Sequence, residues 1–235
     1  MIDAMPSKIQ IPQHVGIIMD GNRRWAREQG KPSFEGHARG YTRAIEVARH
    51  AFNTGVKYIT LYAFSSENWN RAQEEIGYLM SLLSRMLKEQ QQELRKNGIR
   101  LKFIGASDRI DNSLVSAMRE AERACEQGTN GTLLIAFNYG GRREITDAVQ
   151  KLLKKTRRTE EITEADVSSQ LNTAGVPDPD LIIRTAGERR LSGFLLWQAA
   201  YSELYFTETL WPAFTTKDFD AALDDFALRK RNFGK

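Results

Sequence analysis

The chain has little of what staples small folds or holds transition metals. Its 235 residues include one cysteine, Cys125, and three histidines, His14, His37 and His50. A single cysteine excludes an internal disulfide framework and a cysteine-rich metal site, and the scattered histidines have no metal-ligand spacing. Cys125 sits in a helical context, Ala-Glu-Arg-Ala-Cys-Glu, which fits a structural thiol rather than a nucleophile. Uncharged apolar runs, such as residues 133–137, are far too short to span a bilayer. Residues 1–13 lack the apolar centre of a signal peptide. These absences predict a cytoplasmic protein that meets membranes at most peripherally. A net charge of +4 is too small to imply nucleic acid, and no nucleic-acid motif is recognisable. It does suit an anionic small-molecule substrate.

What is present is an alternation of strand-like and helix-like segments. Apolar runs at 15–19, 58–64, 101–104, 133–137, 181–184 and 203–206 are separated by helical patterns over 36–53, 74–97, 112–127, 142–155, 163–172 and 216–231. This order predicts a single α/β domain with a mainly parallel central sheet flanked by helices. The runs are continuous rather than alternating, as expected for strands buried on both faces. The charged stretch 156–161 is too short to divide domains. Polar, Gly- and Arg-rich segments follow four of the runs, beginning at Asp20, Ser65, Asn138 and Arg184. Ligands of open α/β sheets bind at the carboxyl ends of strands, so these four segments are expected to converge on one site.

The strongest segment is Asp20-Gly21-Asn22-Arg23-Arg24-Trp25. It combines a carboxylate, a glycine that permits close backbone approach, helix-start amides and two guanidinium groups, the parts needed for a diphosphate and a divalent cation. On local spacing alone the same stretch also reads as a strand-to-helix turn capped by Asn22. Ser65-Ser-Glu-Asn-Trp-Asn-Arg71 is dense in hydrogen-bonding groups for a passive turn. Arg184, Arg189, Arg190 and Ser192 form a second cationic cluster, and two such clusters suggest two phosphorylated substrates. Glu203, a carboxylate among aromatics, is a candidate second metal ligand or an edge charge. His37 alone reads as a capping or packing residue. The broad apolar face of residues 74–97 is accounted for by core packing, or in part by an apolar tunnel beside the diphosphate site.

Together these segments resemble the cis-prenyltransferase family, and within it the bacterial undecaprenyl diphosphate synthases, over residues 14–234. HVGIIMDGNRRWA, GHARG, LYAFSSENWNR, FNYGGRREI, DLIIRTAGERRLSGFLLWQAAYSELYFT and LWPAF carry the resemblance, in the family's order and spacing. The paired Asp-rich motifs of trans-prenyltransferases are absent. The resemblance implies an N-terminal extension over 1–13 and a catalytic domain over 14–235, with an apolar tunnel between sheet and helices. It implies Mg²⁺ as cofactor, handled by Asp20, with Glu203 as a second contact near the partner subunit of a family homodimer. It implies catalytic roles for Asp20, His37, Ser65 and Asn68. Gly21, Asn22, Arg23 and Arg24 match the cradle of an allylic diphosphate. Trp25, Trp69 and Arg71 match a region that closes on substrate, and Glu75 matches an acidic helix start linked to that loop. Arg184, Arg190 and Ser192 match the isopentenyl diphosphate site.

The implied reaction adds isopentenyl units to an allylic diphosphate such as farnesyl diphosphate, with cis double bonds, and releases product during brief contact with a membrane surface. Three positions depart from the pattern. Ser33 holds a substrate-contact position where many members carry a phosphate-binding arginine, with Arg39 or Arg23 available to compensate. Arg23 replaces a frequent glycine, and Asn232 stands where an arginine is usual. Small residues at Ala63 and Gly131 are expected to leave room for a long product of the undecaprenyl class, the lipid carrier of cell-wall glycan synthesis. The alternative is a short- or medium-chain synthase. Non-catalytic relatives lose the carboxylate and loop residues that are present here.

Overall fold

A computed structural model describes residues 10–155 and 161–231. Six strands form one sheet: β1 (His14–Ile18), β2 (Tyr58–Ser65), β3 (Ile99–Ile104), β4 (Gly131–Tyr139), β5 (Leu181–Arg184) and β6 (Glu203–Phe206). Their spatial order is β3-β4-β2-β1-β5-β6, and every neighbouring pair is parallel. The helices are α1 (Asn22–Glu28), α2 (Ser33–Thr54), α3 (Gln73–Lys96), α4 (Asn112–Ala124), α5 (Gly141–Lys155), α6 (Glu164–Gln170) and α7 (Thr216–Leu228). The single α/β domain expected from the sequence is thus the one observed.

Side-chain alternation along the strands divides the core. On β4, Leu133, Ile135 and Phe137 enter the larger core beneath α2, α3, α4 and α7, while Leu134 and Ala136 enter a smaller one with Phe194 and Leu195. Both β1 and β4 are buried along their whole length, which is why their sequences are unbroken apolar runs. Trp211, Phe214, Phe219 and Phe226 are almost wholly buried against the larger core. Each such side chain contributes about 2–3 kcal/mol of apolar burial. Thr215 and Asp218 form a capping box that starts α7, and Thr163 and Asp166 form one at α6; such a cap contributes about 1 kcal/mol.

Helix boundaries differ from the pattern where local backbone chemistry intervenes. The helix expected from residue 36 begins at Ser33, and a separate α1 precedes it. The break falls at Gly30, with φ +64°, and at Pro32, whose ring cannot continue α1. Cys125 caps α4 instead of lying within it. It is buried, its Sγ reaches the Gln91 carbonyl at 3.8 Å, and burial pushes its thiol pKa up, all consistent with the structural role expected. Among the described residues, no helix is long and apolar enough to cross a membrane.

The chain leaves β1 toward β2 on one side and leaves β5 toward β6 on the other. The junction of β1 and β5 is therefore a topological switch point, where the loops after the strands part and leave a crevice. Residue Ile18 pairs with Arg184 across it, so Asp20 and Arg184 emerge side by side.

Candidate active site

A cavity of about 670 Å³ opens at this switch point. Asp20 stands at its head, and its Oδ2 accepts from Arg184 Nη2 at 2.9 Å. Arg184 is 4% exposed, and its Nη1 donates to Ser192 Oγ at 2.8 Å and to the carbonyl of Arg190. The two clusters assigned to separate substrates are thus in direct contact, which strand adjacency explains and linear spacing hid. The Asp20 carbonyl is pinned by Thr185 Oγ1 at 2.7 Å and by the Trp211 amide at 2.9 Å, which fixes the turn from below.

Gly21 has φ +105°, and a Cβ there would come within 2.9 Å of Leu210 Cδ2 and 3.0 Å of the Ala186 Cβ. Only glycine fits both the turn and the space. Asn22, Arg23, Arg24 and Arg27 follow on α1 and line the cavity. Arg27 was not singled out from the sequence, although it lies one helical turn beyond Arg23 and Arg24 and shares their face. Arg24 donates to the Ala186 carbonyl at 3.0 Å, which ties α1 to the loop after β5.

His37 also lines the cavity, and Glu75 stands behind it. His37 Nε2 lies 3.0 Å from Glu75 Oε1, and Glu75 also meets Arg71 at 2.7 Å and Arg23 at 3.6 Å. Burial holds the His37 pKa below its usual value despite Glu75, so the ring is neutral near pH 7, with Nε2–H facing the carboxylate and Nδ1 basic. Burial pushes Glu75 up, but Arg71, the His37 hydrogen bond and Arg23 together outweigh it and leave the carboxyl below its usual range. Ser65, Asn68 and Arg71 complete this side; Asn68 Oδ1 accepts from the Ser65 amide at 3.0 Å and leaves its own NH₂ for a ligand. Tyr62, which reads in the sequence only as a strand residue, also lines the cavity. It donates to the Tyr139 carbonyl at 3.1 Å, and burial raises its hydroxyl pKa, so it stays protonated.

Other expected residues fall elsewhere. Trp25 sits near Lys31, whose Nζ is 5.9 Å from its ring, and Ser33 opens α2; neither lines the cavity. Trp69 turns inward, packs on Phe64 and donates to Asn138 Oδ1 at 2.7 Å, so it anchors its turn rather than facing the cavity. The Arg190 side chain pairs with Glu188 outside the cavity lining. Glu203 lies at the amino end of β6, level with Leu181, about 10 Å of strand rise before the level of Arg184. It accepts from Arg229 at 2.9 Å, so one chain does not bring it to Asp20. Asn232 lies outside the described residues.

Two expectations are corrected. The segment after β4 does not join the others: Asn138, Gly140 and Arg143 line a separate polar pocket, with Arg143 paired to Asp108. Three strand ends converge, not four, because β4 lies beyond β2 from the switch point. Gly131 does not leave open room either, since the ring of Phe52 occupies the space a side chain there would take.

Behind Ala63 the cavity continues into an apolar throat of about 110 Å³ lined by Leu79, Leu82 and Met86. The throat shares Leu61, Met86 and Ile135 with an outer chamber of about 790 Å³ toward the amino end of the sheet. A channel thus runs between the sheet, α2 and α3, in the place expected for the tunnel. Ala63 and Tyr62, consecutive on β2, face its two sides: Ala63 borders the throat, and Tyr62 stacks on Phe194 at 4.8 Å in the smaller core.

A cationic crevice at a switch point, backed by an apolar channel, defines an enzyme for substrates with a diphosphate head and a hydrocarbon tail. The family model described as "Putative undecaprenyl diphosphate synthase" matches residues 18–234. An isoprenyl transferase of Aquifex pyrophilus is 51% identical over 97% of each chain. One of Thermotoga maritima is 45% identical over 96% of this chain and 98% of its own. The crystal structure of lavandulyl diphosphate synthase from Lavandula x intermedia, in complex with dimethylallyl diphosphate, superposes with a TM-score of 0.91 at 35% identity, covering 96% of this chain and 99% of that one. The chain belongs to the undecaprenyl diphosphate synthase family and is a cis-prenyltransferase enzyme.

Among the described residues no group of three or more His, Cys, Asp or Glu could hold a metal. Asp20 Oδ2 is taken by Arg184, and Oδ1 has no hydrogen bond among the described residues. One open carboxylate oxygen beside the arginines of α1 fits Mg²⁺, which favours one or two carboxylates plus substrate phosphates over an all-protein cage.

Proposed function

We propose that the enzyme condenses isopentenyl diphosphate with an allylic diphosphate, farnesyl diphosphate being the expected primer, and repeats the addition to build a long cis-polyprenyl diphosphate. The observation that carries this reading is the Asp20–Arg184 contact at the mouth of an apolar channel. The allylic diphosphate lies over Gly21, Asn22, Arg23 and Arg24, beside Asp20, the residue that would hold Mg²⁺, and its hydrocarbon tail enters the throat past Ala63. Isopentenyl diphosphate lies on Arg184 and Ser192. When bound, Mg²⁺ neutralises charge on the diphosphate that departs. The arginines of α1 hold that group in a fixed orientation, so little reorganisation is needed as charge develops. The double bond of isopentenyl diphosphate attacks the allylic C1 as the C1–O bond breaks, and a proton then passes from C2 of the isopentenyl unit to an oxygen of the released diphosphate as the new cis double bond forms. Ser65 and Asn68 orient the acceptor for that proton loss, and neutral His37 donates no competing proton at its basic Nδ1. Holding both substrates in one crevice supplies the proximity that the bimolecular step requires.

The same reading includes a homodimer, in which Glu203 would serve a partner's site, and transient contact with a membrane surface at product release. Purified protein given Mg²⁺, farnesyl diphosphate and labelled isopentenyl diphosphate should yield a polyprenyl diphosphate resolved by chromatography. Asp20→Ala should abolish that product. Failure of the wild-type protein with several allylic primers would overturn the proposal.

A further inference from the structure

The segment that begins at Asn138 does not reach the cavity, yet it touches the turn that does. Ser65, at the end of β2, pairs with Tyr139, so the 3₁₀ turn Ser66–Asn70 lies beside the end of β4. The turn rests there at two points. Trp69 Nε1 donates to Asn138 Oδ1 at 2.7 Å. A Cβ at Gly140 would stand 2.4 Å from Ser66 Oγ, so Ser66 sits on bare backbone. On the other side of the same turn, Ser65 and Asn68 line the cavity. Asn138 holds one orientation. It is 1% exposed and has φ +49°, a left-handed conformation that asparagine tolerates better than most residues. Its NH₂ donates to the carbonyls of Ala106 and Asp108 at 3.0 and 2.9 Å, and its own carbonyl accepts from the Ala106 amide at 3.1 Å. With the amide nitrogen committed to two carbonyls, the side-chain oxygen is what faces the indole.

Resting on the roles proposed above for Ser65 and Asn68, we infer that Asn138 is a positioning residue for the condensation: by holding Trp69 it sets where Asn68 and Ser65 meet the isopentenyl unit. Asn138 touches no substrate and acts from behind the turn. Hydrogen bonds of short 3₁₀ turns have poor geometry, so this five-residue turn takes its shape from what anchors it. Trp69 is the chain neighbour of Asn68, and Asn68 Oδ1 in turn accepts from the Ser65 amide, so a shift of the indole is passed to both. A misplacement of about 1 Å at a group that orients the reacting atoms can slow a reaction by about a hundredfold. The α1 cradle is tied instead to the Ala186 carbonyl through Arg24, so it does not depend on this bond.

The test compares the full-length wild-type enzyme with Asn138→Ala, Trp69→Phe, Asn68→Ala and the double variant Asn68→Ala with Trp69→Phe. Trp69→Phe keeps an aromatic ring against Phe64 and removes the indole N–H, so it decides the matter even where Asn138→Ala does not fold. The first condensation is timed in single turnover with enzyme in excess, using Mg²⁺, farnesyl diphosphate and labelled isopentenyl diphosphate. Exchange of the indole N–H groups is followed by NMR, the Trp69 signal being the one lost in Trp69→Phe. Asn138→Ala and Trp69→Phe should each slow the single turnover by about tenfold or more. The Trp69 N–H should be protected in the wild type and exchange freely in Asn138→Ala. In the Asn68→Ala background Trp69→Phe should slow the reaction by no more than about twofold further, because the bond acts through Asn68. Unchanged single-turnover rates in both variants would overturn the assignment. So would an unprotected Trp69 N–H in the wild type, or a full additional loss in the double variant, which would make the bond a general prop of the fold. A wild-type enzyme that condenses nothing overturns the elongation reading, and this role with it.

Discussion

At the scale of single residues, the site depends on groups whose partners come from distant parts of the chain. Asp20 is about one-third exposed, and Arg184 keeps its bonds to Ser192 and to the Arg190 carbonyl when Asp20 is truncated. The pair therefore contributes only about 1 kcal/mol to folding after solvent screening. Asp20→Ala should lower the melting temperature by no more than roughly 2–4 °C while removing turnover, measured by calorimetry and product assay on the same sample. A large thermal shift would make Asp20 structural instead. Ala63 gives a second residue-scale prediction, since it borders a throat of only about 110 Å³. Ala63→Leu should shorten the product by filling that throat, and chromatography showing an unchanged chain would remove Ala63 from the path of the tail. The carboxylate and the arginines were legible in the sequence because they follow or end apolar runs, whereas the small residue at 63 stood out only through the family resemblance. The roles of Trp69 and Gly131 were not, because what they touch, Asn138 and Phe52, lies 69 and 79 positions away in sequence.

At the scale of elements, α1 and α2 pack through glycines. A Cβ at Gly36 would be 2.1 Å from the Asn22 carbonyl oxygen, and one at Gly40 would be 2.2 Å from Asn22 Oδ1. Two effects then oppose each other in Gly40→Ala. Alanine in a helix interior gains about 1 kcal/mol over glycine. The methyl would displace Asn22, whose side chain lines both cavity and throat and whose Oδ1 is buried without a partner. Overpacking costs about 1–3 kcal/mol, so the clash wins. Gly40→Ala should leave the protein no more stable and reduce kcat/KM at least tenfold, as measured by steady-state kinetics. Full activity with a raised melting temperature would show that the helices part freely. The alternation of strands and helices was readable from apolar periodicity. The short α1 and the start of α2 at Ser33 were less so, since the break between them rests on the positive φ of Gly30 and the ring of Pro32.

At the scale of the whole molecule, His14 ties the sheet to the segment before β5. Its Nδ1 donates to the Pro177 carbonyl at 2.6 Å, and its Nε2 accepts from Thr60 at 2.8 Å. Burial holds its pKa down at about 4, against an ordinary 6.5. The unfolded chain binds the proton at the higher pH, so stability rises with pH between these values and is lost as pH falls from about 6.5 toward 4. The contribution is on the order of 3 kcal/mol across that window. Denaturant unfolding of wild type and His14→Gln at pH 7 and pH 5 should show a smaller pH dependence in the variant; equal slopes would contradict the assignment. Nothing in the spacing of three scattered histidines announced this role, because it follows from the pairing of β1 with β2 and β5.

The direct contact of Asp20 with Arg184 has a kinetic consequence. In the proposed reaction each addition leaves the new diphosphate on the Arg184 side, while the next addition needs it on the Asp20 side. With the two groups 2.9 Å apart, the lengthened molecule has only to slip across one ion pair, and its tail stays held in the channel throughout. Growth should therefore be processive. A chase with excess unlabelled primer after one addition should leave the labelled chains growing to full length, whereas accumulation of short labelled intermediates would mean that the enzyme lets go between rounds.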